Sequence, residues 1–245
     1  IYYKTLFSLI NNVKNILNVF YYQNSIRNNL FIQYSTFSNS LNSAILLDSD
    51  TLITNSSQIY TEQQVYDGLD RYSIQIDNCC FNGCKAVSPQ PHGGAIRTFI
   101  SDCVLNISSC IFNKCTAETW GGSIMCVSQN FYIYSTIFSG CRAESGMALF
   151  YNRYKSPTYF GHFLRLTQVG FINNRGKHDV CDLNISELNC IESNFSYNVN
   201  EEQNQQSSLV QHCCALSFLA ATWSQNFKFI NINDNKICGQ GQINP

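Results

Sequence analysis

Charge is scarce in this chain. Only 13% of its 245 residues are Asp, Glu, Lys or Arg, against about 25% in a typical soluble domain. The net charge is -1, which removes any electrostatic case for nucleic acid or an anionic membrane as partner. Proline is scarce as well, with four residues, and no low-complexity tract marks a linker. Long apolar runs are missing. The best candidate, Cys213 to Trp223, is about half the length that a membrane span needs. The first twenty residues lack the apolar core of a secretory signal, because Lys4, Asn11, Asn12, Lys14 and Asn15 interrupt it. The first residue is Ile1 rather than Met, so the sequence reads as a processed chain or a piece of a longer one. Cysteine is absent from the first 78 residues, and all thirteen cysteines follow.

What fills the gap is Asn, Ser, Ile, Tyr and Phe, a mixture of strand formers and turn formers. One phrase recurs: Cys79-Cys80-Phe81-Asn82-Gly83-Cys84, Cys110-Ile111-Phe112-Asn113-Lys114-Cys115 and Thr136-Ile137-Phe138-Ser139-Gly140-Cys141. Weaker copies are Phe171-Ile172-Asn173-Asn174 and Phe195-Ser196-Tyr197-Asn198, with further copies expected at Phe37-Ser38-Asn39-Ser40 and Phe229-Ile230-Asn231-Ile232. Between them sits a second phrase, Gly93-Gly94-Ala95-Ile96, then Gly121-Gly122-Ser123-Ile124, then Ser145-Gly146-Met147-Ala148. Two phrases repeating in step mean stacked units.

Upstream of each Phe the pattern alternates with period two. Leu105 and Ile107 share one face, with Val104, Asn106 and Ser108 on the other. Such runs are half-buried strands. Short strands, turns and a repeat of 24 to 33 residues between Phe81, Phe112, Phe138, Phe171 and Phe195 predict an all-β chain. The expected fold is a parallel β-helix over residues 25–245, clearest over 74–200. About seven coils at roughly 4.8 Å each would span about 35 Å. Over residues 1–24, Leu6, Leu9, Ile10, Val13, Ile16, Leu17 and Phe20 fall at helical spacing. They predict an amphipathic helix capping the first coil. The rival reading is an irregular first coil, because Tyr21-Tyr22-Gln23-Asn24 echoes the repeat.

Phe-x-x-Asn alternating with Gly-Gly-Ala-Ile resembles the repeat of the chlamydial polymorphic outer membrane proteins. The match holds at Gly93 to Ile96, Phe171 to Asn174 and Phe195 to Asn198. Cys replaces the Asn after Phe81, Phe112 and Phe138, which resembles the Cys-rich surface families of parasitic, AT-rich protists. The resemblance implies a right-handed parallel β-helix at a cell surface, with adhesion as its role and no catalytic residues. No membrane barrel follows, so the bacterial family's autotransport is not expected.

In a stacked fold, Cys84, Cys115 and Cys141 form one column, and Cys79 and Cys110 another. Rungs about 4.8 Å apart carry parallel Cβ vectors, whereas a disulfide prefers Cβ atoms about 3.8 Å apart. Buried thiol stacking therefore ranks ahead of disulfides, without excluding them. Cys103 and Cys126 lie outside the columns and are candidates to pair. Of Cys79-Cys80 and Cys213-Cys214, one member each must point outward. His178-Asp179-Val180-Cys181 and His212-Cys213-Cys214 bring ligand types together, but without the spaced pairs of a zinc site. No metal or cofactor is expected. Glu118 and Glu144 each follow their Phe by six residues and so stack on adjacent coils. That spacing suits a retaining glycosidase, whose carboxyls lie about 5–5.5 Å apart. A charge-balanced loop beside Lys114 and Arg142 is the plainer reading.

Four glycosylation sequons begin at Asn55, Asn106, Asn184 and Asn194. With the cysteines they favour an extracellular or cell-surface setting, with other proteins or surface glycans as partners. The expected function is a non-enzymatic structural or adhesive scaffold. The alternatives are a subunit stacked end to end in a larger, even intracellular, assembly and, further behind, a polysaccharide-cleaving enzyme.

Overall fold

Alternating Ile, Leu and Phe along short segments bury one face only when neighbouring segments supply the other wall. The computed structural model satisfies that need with parallel strands stacked in sequence order. It describes residues 3–8, 13–14, 20–24, 28–41, 43–49, 72–87, 91–100, 103–152, 163–185, 187–201, 216–219 and 224–237. Every element among them is a strand, in four sheets of eight, eight, six and seven strands. One turn of the chain runs through Cys103–Ser108 in the first sheet, Ile111–Asn113 in the second, Thr116–Ala117 in the third and Ile124–Val127 in the fourth. Asn130–Tyr134 then returns to the first sheet, parallel to Cys103–Ser108 with Leu105 beside Phe131 and Ile107 beside Ile133. The arrangement is compatible with a parallel β-helix or solenoid. Among the described residues, no helix is long and apolar enough to cross a membrane.

Among the described residues of the 1–24 segment, the expected capping helix is absent. Tyr3–Ser8, Val13–Lys14 and Phe20–Asn24 are strands, in register with Asn28–Gln33, Thr36–Ser38 and Ile45–Ser49. The helical spacing there is coincidental. Asn11, Asn12, Asn15 and Asn18 punctuate the segment with turn formers, and the next coil offers an open parallel edge whose backbone groups need partners.

Sharp corners separate the strands. The residue three before each column Phe and the residue two after it adopt the left-handed conformation. The first set, including Asn78, Ser109 and Ser135, has φ between 44° and 57°. The second set, including Gly83, Lys114 and Gly140, has φ between 53° and 63°. Glycine is required where backbones touch. A Cβ on Gly94 would lie 2.2 Å from the Gly122 carbonyl oxygen, and one on Gly122 would lie 2.0 Å from that of Met147. The Gly-Gly phrase is thus a contact between coils as well as a turn.

Among the described residues, most of the core is one cluster running along the stack, with a small second one of Ala86, Ala117 and Ala143. Leu105, Ile107, Phe131, Ile133, Leu164 and Leu166 line its first-sheet wall, fully buried, while Asn106, Tyr132 and Arg165 between them face outward. Full burial of each such side chain stabilises the fold by about 1.5–3 kcal/mol.

Candidate functional site

The repeat phrase builds three side-chain columns, and the first is aromatic. Phe37, Phe81, Phe112, Phe138, Phe171 and Phe195 pair in register from strand to strand. Their rings stack at 4.7–4.9 Å within 12° of parallel. The copy at residue 37 therefore stands as expected. In the copy near residue 229, Ile232 and not Phe229 takes the column position beside Phe195, and Phe229 is 82% exposed at the corner.

Three residues after each Phe runs the second column: Ser40, Cys84, Cys115, Cys141, Asn174, Asn198 and Asn235. All except Asn235, at the last described coil, are buried. Asn174, Asn198 and Asn235 each donate from Nδ2 to the carbonyl of the Phe one coil back, at 3.2, 2.9 and 2.8 Å. Asn198 Oδ1 accepts from both the backbone N–H and Nδ2 of Asn174, each at 2.9 Å. Asn235 does the same for Asn198, and Asn174 Oδ1 accepts from Cys141 N–H. The thiols repeat half of this pattern. Cys84, Cys115 and Cys141 donate from Sγ to the carbonyls of Phe37, Phe81 and Phe112 at 3.7, 3.5 and 3.6 Å. Cys and Asn are interchangeable here because both place a donor under the same carbonyl.

The third column, two residues before each Phe, holds Ser35, Cys79, Cys110, Thr136, Val169 and Ser193, all buried. The Cys79 N–H lies 3.4 Å from Cys110 Sγ, and the Cys110 N–H lies 3.3 Å from Thr136 Oγ1. No disulfide joins any of the ten described cysteines, nine of which are buried. Cys79 points inward and Cys80 outward, half-buried. Cys103 and Cys126 sit on different sheets, each buried and not joined to the other. Burial pushes the Cys115, Cys126 and Cys181 thiols above their ordinary value. The neighbouring Cys115 side chain holds the Cys84 thiol below its ordinary value, against the opposing effect of burial.

Glu118 and Glu144 lie on neighbouring rungs, set by the pairing of Thr116 with Arg142. Glu118 is exposed. Glu144 accepts from Lys177 Nζ at 2.7 Å in a largely exposed ion pair. That hydrogen bond holds its carboxyl below the ordinary value, opposite to the raised value a general acid needs. Arg142 pairs instead with Glu201 at 2.8 Å. Asp179 and Cys181 are buried. No group of three His, Cys, Asp or Glu among the described residues has the arrangement of a metal site.

Asn106, Asn184 and Asn194 are half-buried, between inward neighbours. Asn184 Nδ2 donates to Asn152 Oδ1, and Asn194 Nδ2 to Ser196 Oγ at 3.3 Å. Asn55, His212, Cys213 and Cys214 lie outside the described residues.

Sequence reasoning missed an outer aromatic stack at the Gly-Gly corner. His92 lies on Trp120 at 4.5 Å, and Trp120 on Phe150 at 5.2 Å. Thr119 Oγ1 donates to Pro91 O at 3.0 Å, so it accepts from His92 Nδ1 at 2.5 Å. Burial, with the nearby Arg97 charge, lowers His92 to about 4. The signal was present as His92 and Trp120, each directly before Gly-Gly. A second outer cluster lies on the first sheet. Tyr132 contacts Tyr134 and Phe163, with ring centroids at 6.4 and 5.6 Å, and the Arg165 guanidinium lies 6.0 Å from the Tyr134 ring centre.

No protein family, curated protein or solved structure matches the chain.

Proposed function

We propose that this chain is a non-enzymatic scaffold of the extracellular space or cell surface, a right-handed parallel β-helix that binds through a rigid, repetitive outer face. The observation that carries the reading is the division of labour between faces. Inward positions are spent on columns that hold coil to coil, whereas outward rows present amides, hydroxyls and aromatic rings. Gln75, Asn106, Tyr132, Arg165 and Asn189 form one such row across the first sheet. A row at the strand spacing offers the same contact repeatedly to an extended partner, and weak contacts then add as avidity. The eight-stranded first sheet is in keeping with about seven coils. The resemblance to the polymorphic outer membrane protein repeat adds adhesion to this reading.

The test is binding of purified chain to intact cells and to arrayed surface glycans. Gln75→Ala with Asn189→Ala should weaken binding about tenfold or more, while the lost bond from Asn226 Nδ2 to Asn189 Oδ1 lowers stability by no more than about 0.5–1.5 kcal/mol. Polysaccharide hydrolysis abolished by Glu144→Gln would overturn the reading in favour of an enzyme.

A further inference from the structure

The sequons differ in what their amides already do. Those of Asn184 and Asn194 are engaged with Asn152 and Ser196. Asn106 is half-buried, faces outward, and lies in the middle of Cys103–Ser108. Its register partners are Gln75 on one side and Tyr132 on the other. Parallel register sets Asn106 and Tyr132 about 4.8 Å apart at Cα, with both side chains on the outer face. On the far side, Tyr132 meets Phe163 and Arg165. On the Asn106 side its neighbours are the smaller Val104, Asn106 and Ser108. An aromatic cluster on a water-facing sheet thus has one open flank, and the sequon stands on it.

We propose that Asn106 carries an N-linked glycan whose first N-acetylglucosamine lies against the Tyr132 ring and covers the Tyr132, Tyr134, Phe163 and Arg165 cluster. The covalent step takes its sugar from a lipid-pyrophosphate-linked oligosaccharide: Asn106 Nδ2 attacks the anomeric carbon, the C1–O bond to the pyrophosphate breaks, the lipid pyrophosphate leaves, and the amide gives up one proton. The apolar C–H face of a pyranose is electropositive, and the face of an aromatic ring carries the negative part of its quadrupole. The amide bond at Asn106 Nδ2 fixes the sugar beside the ring, so its ordering entropy is already reduced. The glycan therefore covers what remains open to water of a half-buried aromatic cluster. This inference rests on the extracellular reading above.

The test uses the full chain secreted from eukaryotic cells, with peptide mapping of each sequon. Asn106 should be occupied. Asn106→Gln should then lower the thermal midpoint by about 2–4 °C in the Tyr132 chain, the response of a domain this size to about 1 kcal/mol. The loss should persist in Tyr132→Phe and fall below about 1 °C in Tyr132→Leu. Ring protons of the first sugar should shift upfield in the Tyr132 chain and in Tyr132→Phe, and not in Tyr132→Leu. Occupancy at Asn184 or Asn194 with Asn106 bare overturns this inference and leaves the extracellular reading standing. Occupancy at Asn106 with equal loss in all backgrounds and no upfield shift also overturns it. No glycan at any sequon overturns both.

Discussion

Consider Asn198→Ala. The side chain is fully buried in the second column, and its amide closes four hydrogen bonds. Nδ2 donates to Phe171 O and Asn235 Oδ1, at 2.9 and 2.8 Å. Oδ1 accepts from the N–H and Nδ2 of Asn174. Truncation leaves the Asn174 N–H and the Phe171 carbonyl as buried groups without these partners. A buried polar group left unsatisfied costs about 1–3 kcal/mol. Asn174 Nδ2 keeps its bond to Phe138 O, so its loss is smaller. The expected destabilisation is about 3–5 kcal/mol, from two orphaned groups and the small cavity. Urea unfolding of the full chain measures it. Hydrogen exchange localises it, with the Asn174 amide exchanging about a hundredfold faster or more, since 1.4 kcal/mol is a factor of ten. Asn198→Cys restores a donor under Phe171 O and should recover part of the loss, as Cys115 and Cys141 do under Phe81 and Phe112. A loss below about 1 kcal/mol for Asn198→Ala, or a Cys variant no better than Ala, would refute the idea that this column is held by its donors.

Gly122→Ala should cost several kcal/mol, because its Cβ would sit 2.0 Å from a backbone oxygen; folding with unchanged stability would sink the close-contact account. Lys114, with φ of 53° where equivalent coils carry Gly83 and Gly140, should gain stability as Lys114→Gly, by about 0.5–1 kcal/mol; calorimetry decides the sign. His92 is lowered from 6.5 to about 4, so the unfolded chain binds the extra proton between those values. Stability is then fully present above pH 6.5 and is lost as pH falls toward 4, by about 1–3 kcal/mol. His92→Gln should flatten that part of the profile, and an unchanged slope would refute the assignment. Native alkylation should label Cys80 first among the described cysteines, the other nine being buried; equal labelling of Cys115 would contradict the column.

The parts of the fold legible in the sequence are those where each rung repeats the same demand. Phe81, Phe112 and Phe138 were readable because only a large flat ring stacks on its copy, and Leu105 and Ile107 because period two is a strand's own signature. In the first coil the sequence leaves two readings open, a capping helix and an irregular coil echoing the repeat at Tyr21 to Asn24, and the strand Phe20–Asn24 agrees with the second. Its apolar spacing fits a helix and a turn-broken strand series equally, and only the neighbouring edge decides. Ile232 was misplaced for a similar reason: Phe229 matches the motif by type, but register assigns the column by position. The His92–Trp120 step was marked by its shared place directly before Gly-Gly, but Phe150 holds no equivalent place in the phrase and joins the stack only through the pitch of the coil.

The same pitch explains why a run of Cys can give way to a run of Asn in one column without disturbing the fold. An Asn both donates to the Phe carbonyl behind it and accepts from the rung behind, so a run of Asn is self-propagating. A Cys donates weakly and accepts little, but it is small and tolerates burial. Where the run changes, between Cys141 and Asn174, Asn174 Oδ1 takes the Cys141 N–H, and Ser123 Oγ comes within 2.8 Å of Cys141 Sγ. The junction is thereby closed from both sides. Extending the Asn run upward, as Cys141→Asn, should therefore be accepted with little loss, because Asn174 Oδ1 is already placed to receive its amide and Phe112 O to receive its donor. Cys141→Ser shortens the reach to Phe112 O and should cost about 1–2 kcal/mol. If Cys141→Asn proved the more damaging of the two by urea unfolding, the equivalence of thiol and amide in this column would fail.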